Sequence, residues 1–325
     1  MVGCDAARSF QVSPALPSFA RTAMAPFLDL AALLSADNAT RNAAEAALNE
    51  LEAQQPAMLA NQLVSTLADG AADPVGRTLC AVLMRRRLPG IVPSLSEEWR
   101  AAVKSKLLEA ISSPCDASLR RKVCDAVGRM GVEFHGEGGW PELMEFVRRA
   151  CTAGEPTTHE AALTVISHMA PALIDPLGWA AIGAQLQGML VGAMGDSSAP
   201  TVSMAALDAL ASMLSACAAQ EQDEKSSAER KKLRAVADSL QSALPSVLRV
   251  LELAVGANDS TRIGEVLSHL STVAMAQPRL FKPVLAVVVE GMAQLAAGGA
   301  AGVPQLLEQQ HLRVALASGP IEEHG

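Results

Sequence analysis

The sequence predicts an all-α protein, an α-α superhelix of the HEAT or armadillo kind with about seven helix pairs. Three observations carry that reading. Half of the 325 residues are hydrophobic but only 3% are aromatic, with no Tyr. A core of Ala, Leu, Val and Met suits close-packed helices better than strands, which favour aromatic and β-branched residues. A short pattern also recurs along the chain: an acidic or turn residue, a cation or polar residue about four on, then an Ala-rich apolar run. Finally, an amphipathic segment precedes each copy, so that each unit reads as an A helix, a turn and a B helix.

Residues 1–23 carry Arg8, Arg21, several Ser and Pro and one acid, Asp5, a loosely transit-peptide-like composition. They are expected to form a disordered leader or to follow an upstream start, with Met24 as a second start. The first copy is Asp37 to Arg41 before NAAEAALNEL, and the second Asp73 to Arg77 before TLCAVLMRRRL. The third is Asp116 to Arg120 before RKVCDAVGRM, with weaker copies from Glu155 and Ser197 and a clear one at Asn258-Asp259 to Arg262. The first five starts stand 36, 43, 39 and 42 residues apart and the last gap is 62. Such periods fit HEAT or armadillo units rather than the 34 of TPR or 33 of ankyrin repeats.

The wide gap holds the charged stretch Gln220–Lys232, expected as an inserted loop or helix extension. Helix pairs are expected near 26–53, 56–88, 95–131, 140–171, 177–217, 232–275 and from 280 onward. Residues 298–325 lose the pattern and read as an irregular, truncated tail. In the third unit Trp99, Val103, Leu107 and Ile111 form one apolar stripe at four-residue spacing. Each recurring Asp or Asn is placed to cap helix B. The Arg after it is expected to pair with a carboxylate of the neighbouring repeat, a structural ladder that takes in Arg77 and Arg120.

With 26 Lys and Arg against 34 Asp and Glu, the net charge is −8. That balance argues against a general nucleic-acid binder, which needs a basic face to displace phosphate counterions. It suits handling of basic partners. Mean hydropathy is +0.23, yet no uninterrupted apolar run is long enough to suggest a membrane span. The six cysteines are widely and irregularly spaced, without CxxC, and read as free thiols of a reducing compartment rather than a zinc site.

Chemistry-bearing motifs are missing. There is no GxxxxGK[ST], no GxGxxG after a strand and no GxSxG. His159-Glu160 does not continue into HExxH, and the six histidines are dispersed. The chain is therefore not expected to be an enzyme or to hold a cofactor or metal. Two cationic clusters stand out instead. Arg85-Arg86-Arg87 is expected to end the second B helix, where cations suit the macrodipole. Arg120-Arg121-Lys122 opens the third, where they oppose it. Together they suggest a local basic stripe for a partner.

Residues 26–150 resemble the N-terminal region of the importin-β (karyopherin-β) nuclear transport receptors. Leu33-Leu34 followed by a turn and Arg41-Asn-Ala-Ala-Glu45-Ala-Ala-Leu48 is similar to the first repeat of that family, and Ala81-Val-Leu-Met-Arg-Arg-Arg-Leu88 to its second-repeat signature. Val103 to Leu108, Leu119 to Asp125 and the single Trp140-Pro141 place the resemblance nearest the importin-5 (importin-β3) branch, with importin-4 the rival. Organisation matches to about residue 297. Receptors of this family are much longer, and the leader has no counterpart in them.

The resemblance implies a receptor, or its N-terminal fragment, shuttling between cytoplasm and nucleus. Its partners would be Ran-GTP, import cargo bearing basic signals, and nucleoporins, with no direct nucleic acid and no membrane insertion. It divides the chain into 24–150, the Ran-binding repeats 1–3, and 151–297, repeats 4–7. Carried over residue by residue, the Ran contacts are Arg41 and Glu45, Arg85 and Arg86, and Lys122, Asp125 and Arg129. The last three share one helix face. Without the distal repeats the chain is expected to bind Ran-GTP but carry cargo inefficiently. The alternative is a HEAT scaffold such as a phosphatase-type regulatory subunit, against which the irregular spacing speaks; a HEAT-repeat enzyme such as a lyase would need a polar pocket that no constellation here supplies.

Overall fold

The computed structural model describes residues 28–281, apart from 114, 136–138 and 154. The expected leader, most of the seventh helix pair and the tail lie outside the described residues. The described residues form helices and connecting turns, with no strand among them, as the aromatic-poor composition predicts. They fall into two compact units divided between Ser113 and residue 114.

The first unit holds α1 (Leu30–Leu33), α2 (Asn38–Gln54), α3 (Pro56–Ala68), α4 (Pro74–Ile91), a 3-10 turn at Val92–Ser94 and α5 (Glu97–Ser112). Its centre is α3, which packs against α4 and α5 through Leu59, Ala60, Leu63, Val64 and Leu67, all buried. The α5 stripe behaves as the spacing predicts: Val103, Leu107 and Ile111 are buried, and Trp99 at its start is half-buried.

The second unit has two layers. Helices α6 (Ala117–His135), α8 (Pro156–Leu173), α10 (Pro200–Asp223) and α13 (Ser260–Ala276) pack in succession. Against them lie α7 (Pro141–Ala153), α9 (Pro176–Gly195) and α12 (Leu244–Gly256). The short α14 (Pro278–Phe281) follows on α13. Phe134 at the end of α6 meets Trp140 before α7 edge to face, with ring centroids 5.5 Å apart. By length and composition α9 and α10 are apolar enough to cross a bilayer. In the fold α10 is a core helix, with Val202, Leu207, Leu210, Met213 and Leu214 among its buried residues, and α9 is packed against α10 and α12.

The charged stretch before Lys232 proves to be both an extension and an addition. Helix α10 runs on to Asp223, the chain breaks over three residues, and α11 (Ser227–Leu240) begins. The sixth unit therefore has three helices, α11 to α13, where a pair is expected.

Helix starts are marked residue by residue. The carboxylates of Asp37, Asp73, Asp116, Glu155 and Asp259 accept from Thr40 N, Gly76 N, Leu119 N, Thr158 N and Arg262 N at 2.8–3.2 Å. This is the capping role their spacing suggests. Helix α10 instead has Ala199 at its cap without a side-chain bond. Pro occupies one of the first two positions of α3, α4, α8, α9, α10 and α12, where its missing N–H costs nothing.

The arginines after the caps correct the expected ladder. Arg77 is buried, and its Nε donates to the Leu67 carbonyl at 3.0 Å. Arg41 donates to the Ser35 carbonyl at 3.2 Å, and Arg262 pairs with its own cap, Asp259, at 3.1 Å. Arg120 lies close enough to Asp116 to help hold that carboxyl below its usual range, after the backbone bonds that do most of it. These arginines fasten turns within a unit and do not reach carboxylates of the next repeat. A free α-helix C-terminus leaves carbonyls without donors, and Arg77 supplies one to α3.

Candidate partner-binding site

The candidates in the first unit lie on α2 and α4. Arg41 is half-buried, and besides Ser35 its guanidinium meets Asn38 Oδ1. Its donors are thus committed to the start of α2. Glu45, one turn on, is exposed and makes no ion pair among the described residues. Arg85 and Arg86 are exposed, whereas Arg87 reaches back to Glu52 of α2 at 2.8 Å. Helix α4 continues to Ile91, through Pro89. The arginine run therefore sits in the body of the helix, not in its last turn, and the macrodipole does not account for it.

In the second unit Lys122 and Asp125 are half-buried and Arg129 is exposed, on one face of α6. Arg129 pairs with Glu133 along the helix at 2.8 Å. Asp125 turns toward α8, where His168 Nδ1 stands 3.6 Å from its Oδ1. The structure thus gathers Lys122, Asp125 and Arg129 and adds His168 to them.

Two glycines make that juxtaposition possible. A Cβ on Gly128 would stand 2.4 Å from His168 Cβ, and one on Gly131 2.7 Å from Met169 Sδ. Only residues without side chains let α6 come this close to α8.

The polar contacts continue across the layer. Ser167 Oγ donates to Asp208 Oδ2 of α10 at 2.7 Å. The Ser167 hydrogen being so used, the Ser212 hydroxyl donates to Ser167 Oγ at 2.8 Å. His269 Nδ1 of α13 lies 3.9 Å from Asp208 Oδ1. Asp125 and Asp208 each lie nine residues after the residue that caps their helix, Asp116 and Ala199, so the repeat places them in register. Sequence reading treats His168 and His269 as dispersed core or surface residues. The signal it misses is the Asp-to-His spacing of one repeat between Asp125 and His168.

Cys80, Cys124 and Cys217 are buried and Cys151 is half-buried. Desolvation pushes the first three thiols up to about 12 and Cys151 to about 11, which disfavours the reactive thiolate. Among the described residues no group of three or more His, Cys, Asp or Glu is arranged to hold a metal ion.

In the second unit, two layers of helices stacked repeat upon repeat, with polar contacts along one layer, define a helical-repeat protein. Crystal structures of Kap121p alone, bound to RanGTP and bound to Nup53p are similar to the chain. Each has a TM-score of 0.65 over 86% of this chain, at 22%, 21% and 22% identity. The matched region is 26%, 25% and 25% of those structures, so the chain spans about a quarter of their length. The family model described as IPO5-like, TPR repeats matches residues 115–291. The chain belongs to this importin-5-like family of the importin-β karyopherins. Although that description names TPR repeats, the helix-B caps from Asp37 to Glu155 stand 36 to 43 residues apart, longer than the 34 of a TPR unit.

Proposed function

We propose that the chain is a nuclear transport receptor, or the N-terminal segment of one, whose first three repeats (24–150) bind Ran in its GTP form. The observation that carries this reading is the membership in the importin-5-like family. Its fold is also that of a karyopherin whose structure is known with RanGTP. Lys122, Asp125 and Arg129 form the centre of the contact, since α6 presents them together on one face. On the first unit, taken by itself, exposed Arg85, Arg86 and Glu45 are the proposed contacts. Arg41 contributes least, its guanidinium being held by Ser35 and Asn38. Nucleotide stays on Ran, so the chain acts by binding and not by catalysis.

Import cargo with basic signals and nucleoporins are the further proposed partners, and the chain passes between cytoplasm and nucleus. Kap121p is known bound to Nup53p and to Pho4p.

The test is a pull-down of Ran loaded with a non-hydrolysable GTP analogue or with GDP, using the whole chain and a Lys122→Glu/Arg129→Glu variant. Binding to the GTP form alone, weakened in the variant, is the expected result. A folded chain that binds neither form, or both equally, overturns the reading.

A further inference from the structure

The joints between successive helices of the seam layer differ in strength. Helix α6 meets α8 closely at Gly128, against the backbone of Val165 and His168, and at Gly131, against the Met169 side chain. Helix α8 meets α10 through the Ser167, Asp208 and Ser212 network, in which Ser167 is buried. Between α10 and α13 the polar contact among the described residues is the 3.9 Å approach of His269 to Asp208. Burial differs in the same direction: α8 and α10, each between two neighbours of the layer, bury ten and eleven residues, and α13, with α10 as its described neighbour in the layer, buries Val266, Leu270 and Val273.

The extra helix α11 and the 3-10 turn that follows it (Gln241–Ala243) span this weaker joint by another route. On one side Trp179 Nε1 of α9 donates to Ser239 Oγ at 3.1 Å, Gln187 meets Ser242, and Arg234 pairs with Glu221 of α10. On the other side Arg279 of α14 donates to the Arg234 carbonyl at 3.3 Å and pairs with Asp238 at 3.4 Å. Gln241 donates to the Leu280 carbonyl at 3.3 Å. Helix α14 in turn packs on α13. The path α10 to α11 to α14 to α13 thus runs parallel to the direct joint, and its α11 to α14 link is made of the polar bonds of Arg279 and Gln241.

We propose that α11 is a brace across the α10/α13 joint, that this joint is where the second unit flexes, and that ionic strength sets how tightly the brace holds. The helices α6, α8 and α10 move as one block, and α12 and α13 swing against it when the brace lets go. Exposed ion pairs are screened by salt, whereas the glycine contact and the bond between the uncharged Ser167 and Ser212 hydroxyls are not. The inference is independent of which partner the chain binds.

Hydrogen exchange read by mass spectrometry on the whole chain tests it, with wild type, Arg279→Ala and Asp238→Asn compared at low and high salt. Both substituted side chains are part-exposed ion-pair members, and circular dichroism checks that each variant is folded. The expected result is faster exchange in α13 of Arg279→Ala, by about five-fold or more, with α6 and α8 unchanged. High salt produces the same pattern in wild type. Asp238→Asn keeps the Arg279 bond to the Arg234 carbonyl, gives a smaller rise and responds less to salt. Unchanged exchange in α13, or an equal rise in α8 and α13, overturns the proposal.

Discussion

Gly128 of α6 and His168 of α8 approach until no side chain fits between them. A methyl group at Gly128 would lie 2.4 Å from His168 Cβ and 3.2 Å from the Val165 carbonyl oxygen. Neither neighbour is the free end of a flexible chain, so the helices must part to admit it.

Gly128→Ala therefore destabilises the second unit, by about 1–3 kcal/mol as in other overpacked cores. This is despite the roughly 1 kcal/mol that Ala gains over Gly inside a helix. Gly131→Ala costs less, because its methyl group meets the Met169 thioether, which can turn aside. Urea unfolding of the two variants checks both the sign and the order.

Ser167→Ala leaves Asp208 without its 2.7 Å donor and Ser212 without its acceptor. A loss of about 0.5–1.5 kcal/mol is expected, the net worth of an ordinary hydrogen bond, because Asp208 and Ser212 are only half-buried and water can take the lost partner's place. Thermal melts of Ser167→Ala and of a Ser167→Ala/Ser212→Ala pair test it. The second substitution adds less than it does alone, because the two hydroxyls share one network.

Four acids, exposed Asp37, Asp116 and Glu155 and half-buried Asp196, hold helix or turn N–H groups, and their bonds favour the ionised form. Asp37 is held low first by the Thr40 hydroxyl, Asp116 by Leu119 N, Glu155 by the Thr157 hydroxyl and Asp196 by the Ser198 hydroxyl. Since these carboxyls are lowered in the fold, their contribution is complete above the unfolded carboxyl range near pH 4. It is lost as pH falls through their native values. The melting temperature of wild type is expected to drop more steeply below pH 4 than that of a variant with Asn or Gln at all four positions.

His159 runs on the other sign of charge. Burial lowers it, and nearby Asp196 only partly offsets this. The fold prefers its neutral ring, so stability falls as pH drops below the ordinary imidazole value near 6.5. His159→Gln removes that slope between pH 7.5 and 5.5, which a pH series of chemical denaturation curves measures.

The thiols of Cys80, Cys124 and Cys217 are buried and protonated at neutral pH. Iodoacetamide is expected to leave all three unmodified in native protein and to label them after unfolding, as peptide mass mapping would record.

The capping acids were legible because a cap acts within four residues, and Asp73 or Asp116 need only its own turn to be recognised. So was the α5 stripe, a periodicity of one helix. The arginine partners were not. Whether Arg77 meets a neighbouring carboxylate or the Leu67 carbonyl depends on how one helix end lies against the next, which local pattern does not encode. The same holds for His168, whose place beside Asp125 depends on an approach that Gly128 permits from another helix. Helix α11 was visible only as charge, because its apolar face, Leu233, Val236, Ala237 and Leu240, follows the acidic end of α10 without a repeat start. Of the candidate site, Lys122, Asp125 and Arg129 could be grouped by helical spacing alone, whereas the commitment of Arg41 to Ser35 and Asn38 could not.

Because acids and prolines sit at the head of nearly every helix, each helix pair carries its own punctuation and borrows none from its neighbours. A pair copied or lost by recombination would keep its reading frame of turns. Evolution can lengthen or shorten such a chain by whole units, leaving the partner-facing positions of the remaining helices where they were.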